Sequence, residues 1–248
     1  MAEIVRLAKV EDAPAEPMEF LLTETAKDCL RALHGIHAAD GSRFAMIAGV
    51  QGVGKTKALC HFPTVEQNVY AFKIYKSEGT SSAISEILMD AFCGEKPNGK
   101  SISARRNIPL KHWGNSRMTF LFDEAHNFEA DGMEWVTQVA ESAGWSVGFI
   151  GGADLPYLVE KCQSLSGRIP FPVIIRNAAR EDAIAVAHNL GVTDHDAVHL
   201  LTLISQSKGG LRKVALTIEA ASTFAREGDV TAEHIRKVAG NIGAQGGK

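Results

Sequence analysis

The chain has 248 residues, 45% hydrophobic and 22% charged, with a formal net charge of −3; it is long enough for one large domain, or a core with a small second one. The mild acidity excludes nucleic-acid binding by bulk charge, so any basic surface must be local. Four scattered cysteines (Cys29, Cys60, Cys93, Cys162) without a C-x-x-C argue for reduced thiols over a disulfide framework or zinc site, and the absence of a long apolar run gives the expectation of a soluble, cytoplasmic protein with no membrane partner.

Residues 1–18, with Pro14, Pro17 and several acids, read as a loose arm. From Glu19 to Ala39, the residues Leu22, Ala26, Cys29, Leu30, Leu33 and Ile36 recur at helical spacing, and Asp40-Gly41-Ser42 ends that helix. Arg43–Ala48 is an apolar segment of strand length. It enters Gly49-Val50-Gln51-Gly52-Val53-Gly54-Lys55-Thr56, which fits G-x-x-x-x-G-K-[ST], and Lys57–Cys60 can continue as a helix. Strand, loop and helix in this order are the context that a phosphate-binding P-loop requires. Pro63 marks a break. Asn68–Tyr75 reads as a second strand, Thr80–Leu88 as a helix, and 94–109 as a loop because Gly94, Pro97, Asn98, Gly99 and Pro109 interrupt it.

Met118–Phe122 is a continuous apolar run, suited to a strand buried on both faces, and it ends in Asp123-Glu124. Met133–Ala143 and Leu155–Leu165 read as helices, and Ser146–Gly152 and Phe171–Ile175 as the fourth and fifth strands. Strands alternating with helices predict an α/β fold with a parallel five-stranded sheet. From about Ala178 only helical patterns remain: Glu181–Leu190, Asp194–Ser207, Leu211–Arg226 and Thr231–Val238. The expected division is an arm at 1–18, a nucleotide-binding domain at 19–177, a helical lid at 178–242 and a tail at 243–248.

The chemistry follows from the residue types. Glycines let backbone N–H groups turn toward phosphate oxygens at a helix N-terminus, so Gly49 to Thr56 and the adjoining Lys57 are expected to bind ATP. Lys55 can reach the β/γ-phosphates and the Thr56 hydroxyl can ligate Mg²⁺. Asp123, at the end of a central strand, would hold the same Mg²⁺, and Glu124 would polarise the attacking water. Asp123-Glu124-Ala125-His126 also spells a helicase motif, but such helicases need two α/β domains; His126 therefore reads as a local hydrogen-bonding residue. Residues 76–117 hold seven basic residues against four acids, enough to neutralise DNA phosphates without reading sequence. The histidine pairs His34/His37 and His195/His199 lack the zinc-protease carboxylate and read as ordinary polar residues.

The P-loop, the Asp123-Glu124 strand, Ser166-Gly167-Arg168-Ile169 before the fifth strand and Gly209-Gly210-Leu211-Arg212 opening a lid helix occur in this order. Over roughly residues 19–240 the combination resembles an AAA+ ATPase. It is similar in particular to the transposition-helper branch of phage Mu B protein, TniB and TnsC, with the related ExeA-like ATPases. The resemblance implies that Arg168 completes a neighbouring subunit's ATP site in trans and that Arg212 senses the γ-phosphate in cis. It also implies an ATP-dependent oligomer on double-stranded DNA that delivers this DNA to a transposase, with Arg105, Arg106 and Lys111 as the preferred DNA contacts. A Mu-type protein would carry a helix-turn-helix module ahead of the ATPase, for which residues 1–18 are too short. The fourth strand departs from the AAA+ pattern: Gly152-Ala153-Asp154 stands where a polar Asn, Ser or Thr would position the attacking water. The alternatives are an ExeA-like role in secretion or envelope assembly, and a nucleotide-dependent scaffold with little turnover.

Overall fold

The computed structural model describes residues 20–245 except 42, 94–98, 114–116, 166, 171 and 226–227; the arm expected at 1–18 therefore lies outside the described residues. In chain order the elements are α1 (Glu24–His37), β1 (Phe44–Gly49), α2 (Lys55–Val65), β2 (Val69–Lys73), α3 (Ser81–Cys93), α4 (Ile102–Trp113) and β3 (Thr119–Asp123). A short 3₁₀ turn (Ala125–Asn127) leads to α5 (Ala130–Ala143), β4 (Ser146–Gly151), α6 (Leu155–Lys161) and β5 (Val173–Ile175). Four helices follow: α7 (Arg180–Asn189), α8 (His195–Ser205), α9 (Gly210–Ala225) and α10 (Ala232–Gln245).

The five strands form one sheet in the order β2-β3-β4-β1-β5. β1 pairs with β4, β4 with β3, and β3 with β2, all parallel. β1, β3 and β4 are buried along their whole length, which is why they read as unbroken apolar runs. Aromatic rings fill the space beside β3: Phe122 stacks on Phe72 and Phe149 and meets Phe128 edge-on, while Phe120 packs on Tyr70 and Trp145.

Three expectations need correction. Most of the described part of the loop expected at 94–109 is helix α4. Its N-terminus is capped by Ser101, whose hydroxyl accepts from the Ala104 N–H, and Pro109 sits inside the helix. Arg105 ties α4 to α3, donating to Ser82, Ser85 and Glu86, and these tertiary bonds outweigh a local breaker. Pro63 does not end the preceding helix, which runs through it to Val65 around the fully buried Phe62. Finally, α10 continues to Gln245, so the expected tail begins inside a helix.

The described chain packs as two compact units, one of residues 29–48 and 56–174 and the other of 20–28, 49–55 and 175–245. The second has its own core, including Leu201, Val214, Ile218, Ile235 and Val238. This division is not the linear boundary expected near residue 178, and hydrogen bonds within the second unit explain why. The N–H groups of Glu24 and Thr25, at the start of α1, donate to the two oxygens of the Asp182 carboxylate at 2.6 and 3.1 Å. Asp182 is only 1% exposed. A buried anion against unpaired helix N-terminal amides is a strong, charge-assisted cap. Asp182→Ala would leave both amides without this partner, at a cost of about 2–4 kcal/mol; a urea melt is expected to show the loss, and an unchanged midpoint would contradict this role.

Candidate nucleotide site

The end of β3 places a carboxylate where ligands bind in open α/β sheets. Asp123 is 5% exposed. The Thr56 hydroxyl, from the first turn of α2, donates to its Oδ2 at 2.9 Å, and the Glu124 N–H donates to its Oδ1 at 2.9 Å. Burial pushes the Asp123 carboxyl above the ordinary aspartate range, against the lowering effect of these two hydrogen bonds. A hydroxyl and a carboxylate in contact make a hard-oxygen donor set that suits Mg²⁺. Glu124 adopts the left-handed conformation (φ 53°), which is unfavourable for a side-chain-bearing residue and costs on the order of 1–3 kcal/mol. Its carboxylate lies 3.4 Å from His126 Nδ1, and that nitrogen also accepts from the Gly152 N–H at 3.0 Å. His126 is thus the hydrogen-bonding residue expected from the sequence.

Within the second unit, the loop of residues 49–55 folds against the start of α9. The Lys55 ammonium donates to the carbonyls of Gly49 and Val50 at 2.8 and 2.7 Å, so reaching a phosphate means exchanging these partners. Val53 is fully buried beside Ala178, Ala183 and Leu211. The Arg212 N–H donates to the Gly52 carbonyl at 3.1 Å, while its side chain is exposed. The resemblance implied a γ-phosphate sensor at Arg212; what the structure shows of it is this backbone bond to the loop. Val50, Gln51 and Lys57 are exposed, and Gly54 is half-buried.

The remaining basic residues are placed less uniformly. Arg168 pairs with Glu141 of α5, both half-exposed. Arg105 is turned inward, with its side chain 13% exposed. As a DNA contact it would have to exchange its bonds to α3 for phosphate oxygens. Arg106 is half-buried and reaches Gln138, whereas Lys111 is exposed. Lys96 lies outside the described residues. Asp154 is exposed at the start of α6 and makes no side-chain capping bond. His34 and His37 both face a carboxylate that the sequence did not bring to them, Glu66 at the end of α2, at 3.1 and 3.5 Å. His195 is exposed beside Asp196.

The sheet order, the Thr56–Asp123 pair and the helical C-terminal segment define a P-loop fold of the AAA+ class. Residues 167–241 match the family described as Mu B transposition protein, C terminal. Over 223 residues the chain is 27% identical to the Mu-like prophage FluMu DNA transposition protein B of Haemophilus influenzae, covering 86% of this chain and 75% of that protein. Among solved structures, it resembles the Aeropyrum pernix ORC1 protein in complex with DNA (TM-score 0.64, 17% identity, 88% of this chain). It also resembles CDC6P from Pyrobaculum aerophilum (TM-score 0.69, 13% identity, 93% of this chain and 70% of that one). The chain spans 64% of the ORC1 protein's length, and at such identities these two likenesses establish the fold alone. The chain is thus similar to Mu B transposition proteins, the resemblance that its motifs carry.

The loop geometry also assigns Gly52 a job that the motif alone does not reveal. It has φ +81°, and a Cβ there would lie 2.0 Å from the Gly209 carbonyl oxygen. Gly54 has φ +103° but would meet nothing within 4 Å. Gly52→Ala is therefore expected to lower stability by about 2–4 kcal/mol and Gly54→Ala by less, since only the first adds a backbone clash to the strain in φ. Thermal melts of the two variants check this; equal losses would contradict it.

Proposed function

We propose that this protein is an ATP- and Mg²⁺-dependent ATPase that oligomerises on double-stranded DNA with little sequence preference and hands that DNA to a transposase. The observation that carries this reading is the Thr56–Asp123 pair at the end of β3, followed directly by Glu124, in a chain similar to a transposition protein B. Thr56 and Asp123 would hold Mg²⁺, which, when bound, neutralises charge on the β- and γ-phosphate oxygens. Lys55 would exchange its loop carbonyls for phosphate oxygens. Glu124 would accept a proton from the water that attacks the γ-phosphorus, giving ADP and phosphate. Arg212 would sense the γ-phosphate in cis, and Arg168 would leave Glu141 to serve a neighbouring subunit's nucleotide. Lys111 is the exposed member of the preferred DNA contacts. The setting that fits such a protein is the cytoplasm of a bacterial or phage-infected cell; no helix among the described residues is long and apolar enough to cross a membrane.

A mobility-shift assay with duplex DNA tests the switch: binding is expected with ATP, weakened with ADP or without nucleotide, and reduced by salt. Binding indifferent to nucleotide would refute it. Glu124→Gln is expected to retain ATP binding while turnover falls by about 10²–10⁴-fold; undiminished phosphate release would remove Glu124 from the mechanism.

Asp123 adds a pH dependence. Its folded-state carboxyl titrates above the ordinary aspartate value, so the fold favours the protonated form. The stability linked to it is lost as pH rises from the ordinary value through the raised one. A cation at Asp123 would offset the cost of its charge, and a proton would compete with it. Mg²⁺-dependent binding of a fluorescent ATP analogue is therefore expected to weaken with acidification at a higher pH than an ordinary aspartate would give. The same loss at the ordinary aspartate pKa would contradict this.

A further inference from the structure

The fourth strand lacks the polar residue expected at its tip, yet the space there is filled. A Cβ on Gly151 would lie 3.0 Å from the His126 backbone nitrogen and 3.2 Å from its Nδ1, and one on Gly152 would lie 3.5 Å from Nδ1. The missing side chain at Gly151 thus gives the His126 imidazole its room against the strand end, while a Cβ on Gly152 would only touch the ring. The ring is partly enclosed, with its side chain 26% exposed. One nitrogen faces two groups of opposite demand: the Gly152 N–H, 3.0 Å away, needs an acceptor, and the Glu124 carboxylate, 3.4 Å away, needs a donor. Nδ1 can satisfy only one at a time, because it accepts without its own proton and donates with it.

We infer that His126 is a positioning residue for Glu124 that stands in for the missing polar residue of the fourth strand. With the proton on Nε2, the ring is anchored to Gly152 and Glu124 is left to the attacking water. With the proton on Nδ1, the ring holds the carboxylate and releases the strand end. The ring thereby couples the tip of β4 to the group that activates water, and turnover does not depend on the exposed Asp154. This inference rests on the ATPase reading of Glu124.

Steady-state ATPase assays on the full chain, with DNA present, test it using His126→Leu and His126→Asn beside Glu124→Gln. Asparagine carries an acceptor and a donor on a side chain that reaches the Nδ1 position. His126→Leu is expected to lower kcat by about 10–100-fold, the range seen when a partner orienting a reactive group is lost, with little change in KM for ATP or melting temperature. His126→Asn is expected to recover most of that kcat. Normal turnover in His126→Leu, or no recovery in His126→Asn, would overturn the inference even if Glu124→Gln is inactive. Full activity in Glu124→Gln, or no hydrolysis by the unaltered protein, would overturn the ATPase reading and this inference with it.

Discussion

The hydrogen bond from the Thr56 hydroxyl to the Asp123 carboxylate joins the first turn of α2 to the end of β3. It is the constraint around which the site is arranged. A strand buried on both faces can carry a carboxylate only at its end, and there only with donors in place. Thr56 supplies one and the Glu124 amide the other. The second bond accompanies the left-handed turn at Glu124, which carries the chain away from the sheet and into the 3₁₀ turn bearing His126. Satisfying a buried charge, forming the turn and presenting the next carboxylate are one local solution.

The sheet was largely legible because each strand is a short apolar run bounded by glycine, proline or charge, and full burial of β1, β3 and β4 gave them patterns that no surface element shares. The P-loop was legible for another reason: phosphate binding demands fixed residue types at fixed spacing. What escaped depended on partners distant in sequence. Pro109 looked like a breaker until Arg105 was seen anchoring α4 to α3. Residues 49–55 looked like part of the first domain, but Arg212 and Val53 tie them to the helices after residue 175. Asp182 lies in the helical pattern of Glu181–Leu190, and nothing local reveals that it caps α1. Glu66 is the same kind of case: it meets both His34 and His37 only because the ends of α1 and α2 converge.

The arginines show why charge counting is a weak guide to a binding surface. Arg105 and Lys111 contribute equally to the local positive excess, yet one is spent inside the fold and the other is exposed. An arginine carries five N–H donors in a rigid fork and is readily consumed as a structural clamp. Arg168 lies between these cases. Its pairing with Glu141 is half-exposed, and such surface ion pairs contribute about 0–1 kcal/mol once screening and side-chain entropy are counted. A contact that weak restrains the guanidinium without committing it. The proposed role in trans requires that balance, since Arg168 must be orderly in one subunit and available to the next.

The same logic applies to the tip of β4, where the chain departs from the AAA+ pattern it otherwise resembles. A polar side chain at residues 152–154 would act from the strand itself. Here Gly152 offers only backbone, Asp154 is exposed at the start of α6, and the polar group that meets the strand end arrives from the turn after β3. The substitution costs little in geometry because Gly151 leaves room for the ring, and it changes the chemistry. An Asn, Ser or Thr at this position would present donor and acceptor from separate atoms or lone pairs. A single imidazole nitrogen must choose between them. Two sequence features that looked separate, a glycine at the end of the fourth strand and a histidine two positions beyond the glutamate, therefore meet at one place in the fold.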